Sequence, residues 1–414
     1  MFSNYDFVHF LRWLVGACVL GIIAVICFVF VIDPYRIYRW VDVPGFNHVK
    51  PQPDRYQEQI KLINARASKA NAFIFGNSRA EIGLNPEFEG FASAGLSVYN
   101  LALSGTRVSV TKRELDFLKE SGIKPEFVIL GVEFLDYLVD PNDHVPLVST
   151  SFTGKSRNVS DLKWQFDALF SLTSLTDSLK TLQIQKDTVA ETISPRGLNP
   201  FLEYKKYVRQ EGYYPIFQQR ALEYARVFAH KPHGLLLNSS GTSPELEGLR
   251  AVLSQLATES KESHVIIYPY HAQILAMFEQ AGLWPAFEQW KDLLVAEIDT
   301  INKRYSNVHL ALWDFSGYSK FQCEVIPEKN NKLAITQWYW EAGHFKQAYG
   351  DLMLARLLET RLGKEVVNPI GVKLGVSTLL ESQLRIQNEK TACMSNYPAV
   401  FNNSITLIKS EMMK

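Results

Sequence analysis

Residues 13–32 form an apolar run of twenty residues without a single charge. As a helix this run is about 30 Å long, which matches the hydrocarbon core of a bilayer. A buried helix of a soluble core and a cleaved signal peptide are the alternatives. The apolar part of a signal peptide is shorter, at about 7–15 residues, and small residues follow it. Here Asp33 and Pro34 follow, and Pro34 disfavours helix at the residue before it. We therefore predict an uncleaved single-pass membrane anchor in residues 1–32.

The charges on either side of the run give a weak indication of orientation. Arg12 precedes it, whereas Arg36, Arg39 and Lys50 follow it. The positive-inside rule alone therefore favours a cytoplasmic location for the rest of the chain. Long domains that follow a span cross the membrane largely regardless of charge, so this count does not decide the orientation.

The composition excludes several classes of protein. The 414 residues contain 43 Lys and Arg against 43 Asp and Glu, a balance without the basic excess of a nucleic-acid-binding protein. The hydrophobic share of 47% is enough for a large core, and the length allows about two or three domains. No Cys/His cluster has zinc spacing, and no phosphate loop or dinucleotide motif occurs, so we expect no metal or nucleotide cofactor.

Only four cysteines are present, too few for a disulfide scaffold. Cys18 and Cys27 lie in the apolar run. Cys323 and Cys393 either form one bridge in an oxidising compartment or remain two free thiols. The sequence leaves both alternatives open.

After a linker at residues 33–70, short apolar runs alternate with helical patterns. The apolar runs predict five buried strands, at residues 72–75, 98–103, 127–130, 264–268 and 308–313. The amphipathic patterns predict four helices, at residues 108–120, 246–259, 284–302 and 345–362. This alternation is typical of an α/β domain whose parallel sheet is covered by helices on both faces. We place that domain at residues 71–363.

Two segments lie outside this alternation. Residues 141 to about 245 are predicted to form a mostly helical insertion, with helical patches at 161–183 and 214–230. Residues 364–414 are a C-terminal extension without a clear period.

Residues with chemical potential follow the predicted strands, and such segments converge at the carboxyl edge of a parallel sheet. They are Ser78 and Arg79, Gly105, Glu133, His271, and the group Trp340, Glu341 and His344 before the last helix. A hydroxyl, a histidine and a carboxylate are the set that nucleophilic catalysis requires: a nucleophile, a base and a group that orients the base. Ser78 also has a structural alternative, because serine is a favoured N-cap of a helix.

Three segments resemble motifs of the SGNH hydrolase superfamily. Gly76-Asn77-Ser78-Arg79 resembles its first block, Asn100 to Gly105 its second, and Glu341-Ala342-Gly343-His344 its last. More narrowly, the chain resembles the membrane-anchored SGNH-like proteins of alginate acetylation and teichoic-acid D-alanylation. The resemblance covers roughly residues 70–135 and 260–362. It implies a three-layer α/β/α domain in which Ser78 is the nucleophile, His344 the general base and Glu341 the acid. It also implies an oxyanion hole formed by the backbone amides of Ser78 and Gly105.

Two residues depart from the family pattern. Glu133 stands where the family usually has an asparagine that helps to hold the oxyanion, and Glu341 stands where it usually has aspartate. A carboxylate at position 133 would repel an oxyanion unless it is protonated or turned away. The alternative function is therefore a non-catalytic assembly or binding component of a polysaccharide biosynthesis or export system.

Four residues near this set are candidate substrate contacts. Arg79 either binds an anionic polymer or pairs with a glutamate such as Glu133. His271 either contacts substrate or is an ordinary surface histidine. Trp340 lies close to His344 in sequence, where it can stack on a sugar ring.

The resemblance implies O-acyl transfer to, or acyl removal from, a cell-envelope polysaccharide or acylated glycan. It implies a multi-spanning membrane acyltransferase as partner, which supplies the acyl group. It also implies a bacterial inner-membrane protein whose main domain is periplasmic or extracellular. A cytoplasm-facing esterase is the alternative if the count of flanking positive charges decides the orientation.

Overall fold

The computed structural model describes residues 4–51, 55–144, 164, 166, 168, 170–187, 190, 192–305, 309–366 and 370–414. The chain divides into two compact units. The first comprises residues 1–64 and 157–193, and the second comprises residues 65–156 and 194–414. Val308 of the fifth predicted strand and part of the predicted helical patch at 161–183 lie outside the described residues.

The described elements follow one another along the chain as alternating strands and helices. The strands are β1 (Ala72–Phe75), β2 (Val98–Asn100), β3 (Phe127–Val132), β4 (Glu262–Ile267), β5 (His309–Asp314), β6 (Tyr339–Glu341), β7 (His344–Phe345) and β8 (Val372–Leu374). The helices are α1 (Asn4–Ile32), α2 (Gln57–Ala67), α3 (Ser78–Gly83), α4 (Glu89–Ser93), α5 (Val108–Glu120), α6 (Leu172–Gln183), α7 (Leu202–Glu211), α8 (Tyr213–Phe228), α9 (Pro244–Glu259), α10 (Ala272–Gln280), α11 (Trp284–Arg304), α12 (Gln347–Leu362), α13 (Leu379–Asn396) and α14 (Pro398–Met412).

In the first unit, the apolar run lies within a single helix, α1, which is long and apolar enough to span a membrane. The helix ends at Ile32, as Pro34 predicts. Asp33 then turns the chain, because its carboxylate accepts hydrogen bonds from the backbone N–H groups that follow it, at residues 37–39. Lys50 Nζ donates to the Ile32 carbonyl oxygen at 2.7 Å, which satisfies one of the free acceptors at the helix end.

The second unit is an α/β structure built on a six-stranded sheet of order β2-β1-β3-β4-β5-β8. The five strands β1 to β5 are parallel, and β8 adds at one edge, antiparallel to β5. Nearly all side chains of β1 to β5 are buried, which explains why they read as continuous apolar runs. The prediction of a mostly parallel α/β sheet is therefore confirmed.

The strand order reverses at β1, with β2 on one side and β3 on the other. The crevice outside the carboxyl ends of β1 and β3 is thus a topological switch point, the usual place for a ligand in an open α/β sheet. Gly76, Asn77 and Ser78 follow β1 directly, and Glu133 follows β3. The fold therefore brings two of the predicted segments to the edge where ligands are expected.

The C-terminal residues 370–414 are more ordered than their sequence indicates, since they form β8, α13 and α14. Helix α14 packs against α8 and α10. A disulfide joins Cys323, in the segment after β5, to Cys393 in α13, with a Cα–Cα distance of 6.0 Å. Of the two alternatives for these cysteines, the structure thus has the bridge.

Candidate active site

Ser78 is presented by a tight turn between β1 and α3. Gly76 has a φ of +141°, and a Cβ at this position would collide with the Tyr268 hydroxyl, so only glycine fits. Asn77 caps α3, because its side-chain oxygen accepts the Arg79 backbone N–H at 3.1 Å. The capping role that the sequence left open for Ser78 therefore belongs to Asn77. Ser78 is the first residue of the helix, and it is half-buried.

The structure brings Ser78, His344 and Glu341 together in a chain of hydrogen bonds. Ser78 Oγ lies 2.9 Å from His344 Nε2. On the other side of the ring, His344 Nδ1 is hydrogen-bonded to Glu341 Oε1. The second carboxylate oxygen, Glu341 Oε2, accepts the Gly343 backbone N–H at 2.8 Å. A hydroxyl, an imidazole and a carboxylate in this order form the arrangement that activates a serine nucleophile.

A short antiparallel hairpin, β6–β7, builds the acid and base half of this chain. Glu341 at the end of β6 pairs with His344 at the start of β7. The spacing of three residues seen in the sequence is therefore a hairpin turn through Ala342 and Gly343. Ala342, Gly343 and Glu341 are buried, whereas His344 remains half-buried.

The Glu341 carboxylate is held in its charged form. Burial alone would raise its pKa, but the charge of His344 and the hydrogen bonds from His344 and the Gly343 N–H lower it below the usual range. An ionised carboxylate here can orient the imidazole and stabilise the imidazolium formed when the serine loses its proton. The glutamate in place of aspartate thus still reaches the histidine.

Arg79 is not free to contact a substrate, contrary to one of the two alternatives. The residue is buried, and its Nε donates to the Gly343 carbonyl oxygen at 2.7 Å. Its guanidinium forms an ion pair with Glu133, which also accepts the Tyr270 hydroxyl at 2.9 Å. Burial alone would lower the pKa of Arg79, but the Glu133 charge raises it above its usual value.

Glu133 is buried with Arg79, so it is not a substrate contact either. The sequence raised the concern that a carboxylate here repels an oxyanion. Its negative charge is instead compensated by the guanidinium at the far side of the site. The departure from asparagine therefore removes one oxyanion donor without adding an uncompensated charge.

Gly105 lies on an exposed loop after β2 with a φ of +71°, which favours glycine. Glu81, buried in α3, holds the residue before it, since its Oε2 accepts both the backbone N–H of Ser104 at 3.1 Å and its hydroxyl at 2.6 Å. Within the described part of the chain, neither the Ser78 nor the Gly105 backbone N–H donates a hydrogen bond. Both amides are therefore available to an incoming acceptor.

His271 has a structural role rather than one at the surface. It is fully buried, where its Nδ1 accepts the Gln273 N–H at 3.1 Å and its Nε2 bonds to the Glu324 carbonyl oxygen at 2.8 Å. Both ring nitrogens are occupied, so the expectation of a substrate contact is not supported. Burial lowers the pKa of His271 to about 4, which keeps the ring neutral.

The predicted insertion contributes residues to the site that the sequence did not single out. Tyr224 in α8 donates its hydroxyl to Glu341 Oε1 at 3.4 Å. Phe201, just before α7, has its ring centre 5.6 Å from that of His344 and 6.1 Å from that of Trp340. Trp340 is half-buried and stacks on Tyr213. The only sequence signal for these residues is a high density of aromatic side chains between positions 201 and 228.

Phe201 has a left-handed backbone conformation, with φ of +55°. Such a conformation is costly for a bulky residue, and it occurs most often at functional sites. Phe201 and Trp340 together form an aromatic rim beside the imidazole.

The described residues include no group of three or more His, Cys, Asp or Glu that could hold a metal ion. Comparison with known proteins gives no relative: no family model matches the chain, and no curated protein matches its sequence. The likeness to SGNH hydrolases therefore rests on three short segments and on the geometry of their residues.

Proposed function

We propose that this protein is a membrane-anchored, SGNH-like acyltransferase or esterase that acts on a cell-envelope polysaccharide. The observation that carries the proposal is the 2.9 Å contact between Ser78 Oγ and His344 Nε2, with Glu341 hydrogen-bonded to the other ring nitrogen. This arrangement is costly to maintain by chance, because it buries a carboxylate behind a half-exposed histidine.

In the proposed reaction His344 takes the hydroxyl proton while Ser78 Oγ bonds to the carbonyl carbon of an ester or thioester. The amides of Ser78 and Gly105 stabilise the oxyanion. As the intermediate collapses, the bond to the leaving group breaks and His344 gives that group the proton. A sugar hydroxyl or water then attacks the acyl-enzyme with His344 as base, and Ser78 is regenerated. A sugar acceptor gives O-acylation, and water gives de-esterification.

Two features support an SGNH-like, three-layer α/β/α domain. The nucleophile follows the first strand of a parallel sheet, and the acid and base lie together just before the last long helix of that sheet's domain. With Glu133 in place of asparagine, the oxyanion hole consists of two backbone amides. Loss of one oxyanion donor costs about 10²–10³ in rate in other acyl-transfer sites, so a reduced but measurable rate is expected.

The substrate and compartment are proposed on three grounds. The apolar helix α1 keeps the enzyme at a membrane, where envelope polymers are assembled. The Cys323–Cys393 disulfide supports an oxidising compartment, that is, a periplasmic or extracellular location for the domain. The aromatic rim of Phe201 and Trp340 provides flat apolar surfaces for the C–H face of a pyranose ring. A multi-spanning membrane acyltransferase is the proposed source of the acyl group.

The test uses the full chain in detergent or nanodiscs with p-nitrophenyl acetate, and measures acetyl transfer to added oligosaccharides by mass spectrometry. Turnover that is lost in Ser78→Ala and in His344→Ala, and retained in Ser93→Ala, supports the proposal; Ser93 is an exposed serine on the neighbouring α4. No turnover by folded wild-type protein would favour the non-catalytic binding component instead. A C-terminal alkaline phosphatase fusion reports the orientation, since it is active only outside the cytoplasm.

A further inference from the structure

A small polar pocket lies at the topological switch point of the sheet, next to the nucleophile but not lined by it. Its walls come from the segments after β1, β2 and β3 and from the start of α9; the polar lining residues are Asn77, Thr106, Arg107, Glu133, Asp136 and Glu245. The enclosed volume is about 20 Å³, which is room for one water-sized group. None of the chemistry proposed above uses this pocket.

The pocket has an excess of negative charge. The Glu133 charge is compensated by Arg79, but Asp136 and Glu245 also face the pocket. Arg107 is the other cation in the lining, and it lies on the exposed rim with its Nε 3.6 Å from Asp136 Oδ1. Glu245 accepts only a neutral donor, the Val108 N–H, at 3.0 Å. Burial, together with the charges of Glu133 and Glu245, raises the pKa of Asp136 to about 7.

Tyr137 supplies a second, independent sign that a ligand is missing. Its side chain lines the pocket and is 3% exposed, yet its hydroxyl has no hydrogen-bond partner among the described residues. The charges of Glu245 and Asp136 contribute to raising its pKa, which places the hydroxyl near both carboxylates. A buried hydroxyl without a partner costs about 1–3 kcal/mol, so such groups usually have a partner in the functional state.

The chemistry of the lining restricts the occupant. An anion is disfavoured by the carboxylates, and the carboxylates do not form a group that could hold a metal ion. An ammonium group fits, because it is compact and cationic and has three N–H donors. Those donors match the Asp136 and Glu245 carboxylates and the lone pair of the Tyr137 hydroxyl.

We propose that this pocket binds a primary ammonium group of the substrate, next to the acyl carbon that Ser78 attacks. The proposal rests on the acyl transfer proposed above. Asn77 lines the pocket and directly precedes Ser78, so a group bound there lies within a few bonds of the reacting carbonyl. The ammonium belongs either to the acyl chain or to an amino sugar acceptor.

Two p-nitrophenyl esters of the same shape, the glycyl and the propionyl ester, test the acyl source. In both cases the bond from Ser78 Oγ to the acyl carbon forms, the bond to p-nitrophenolate breaks, and the proton passes through His344. The ratio of kcat/KM for glycyl over propionyl, corrected for spontaneous hydrolysis, should fall about tenfold or more in Glu245→Gln and Asp136→Asn. Tyr137→Phe should lower it less. Asp116→Asn, on the exposed side of α5, is the matched control.

A second arm compares glucosamine with glucose as acceptors for acetyl transfer, in wild type and in Glu245→Gln. A fall in the glycyl ratio assigns the ammonium to the acyl chain, and a fall in the glucosamine ratio assigns it to the acceptor. If both ratios are the same in wild type and in folded variants, the ammonium pocket is refuted while acyl transfer stands. If neither ester acylates Ser78, both proposals fail.

Discussion

Arg79 Nε donates to the carbonyl oxygen of Gly343 at 2.7 Å. Arg79 directly follows the serine, and Gly343 directly precedes the histidine. One buried hydrogen bond therefore connects the two chain segments whose neighbouring side chains, Ser78 and His344, must meet. The ion pair with Glu133 fixes the guanidinium that makes this connection.

We predict that Arg79→Gln lowers the free energy of unfolding by about 3–5 kcal/mol, because it leaves the Glu133 carboxylate buried without its partner. The double variant Arg79→Gln with Glu133→Gln should lose clearly less than the sum of the two single variants. Urea unfolding of all three variants measures this. Arg250→Gln, which removes a more exposed ion pair, should cost less than about 1 kcal/mol. Additive costs for Arg79 and Glu133 would show that the pair is not coupled.

In the proposed reaction, Glu341→Gln should lower kcat by about 10³–10⁴, because an amide neither fixes the imidazole tautomer nor stabilises the imidazolium. Glu341→Asp should retain more activity than Glu341→Gln. Initial rates with p-nitrophenyl acetate measure both, and Glu328→Gln on an exposed loop serves as control. Equal rates in wild type and Glu341→Gln would remove Glu341 from the mechanism.

The Cys323–Cys393 bridge closes a segment with a sequence separation of 70 residues. For a loop of this length, chain entropy predicts a stabilisation of about 4 kcal/mol. Thermal unfolding of wild type should therefore shift to lower temperature on addition of a reductant, and Cys393→Ala should show the lower value with and without reductant. Cys27→Ala, at a free cysteine, should behave as wild type. A reductant without effect on wild type would mean that the bridge does not form.

The buried, neutral His271 predicts a loss of stability in acid. Its pKa is about 4 in the folded protein, against 6.5 for an exposed histidine. Between these two pH values the unfolded chain binds a proton that the folded protein excludes, so the free energy of unfolding falls as pH decreases from about 6.5 to about 4. The full effect is about 3 kcal/mol. It is complete once the pH is below the folded-state pKa.

Urea unfolding at pH 7 and at pH 4.5 measures this loss. His271→Asn, which retains a capping side chain, should reduce the difference between the two pH values. His309→Asn, at an exposed histidine, should leave the difference unchanged. A pH dependence that is identical in wild type and His271→Asn would show that another group is responsible.

The strands of the sheet were predictable because they are buried on both faces, so that runs such as Ala72–Phe75 carry an unbroken apolar signal. The predicted second strand at 98–103 is shorter, at Val98–Asn100. After it the Asn100 side chain turns inward and donates to the carbonyls of Ala80 and Leu84. Local apolar character therefore located the strands but not their ends.

The meeting of Ser78 with the Glu341–His344 segment was predicted from the convergence of strand ends together with the family resemblance. The partners of Arg79 and His271 were not predictable, because they depend on contacts over more than 50 residues of sequence. Helices α13 and α14 carried no clear amphipathic pattern because α13 exposes much of its surface. Tyr224 and Phe201 were missed because nothing local in the insertion indicates that it reaches the active site.

Ser78 as an activated nucleophile is the central claim, and covalent labelling of the full chain by a fluorophosphonate tests it most directly. We predict one phosphonyl group per chain, mapped to Ser78 by peptide mass spectrometry. Labelling should be abolished in Ser78→Ala, strongly reduced in His344→Ala, and unchanged in Ser93→Ala. A folded wild-type protein that takes up no label, or a label that persists in Ser78→Ala, would contradict the account.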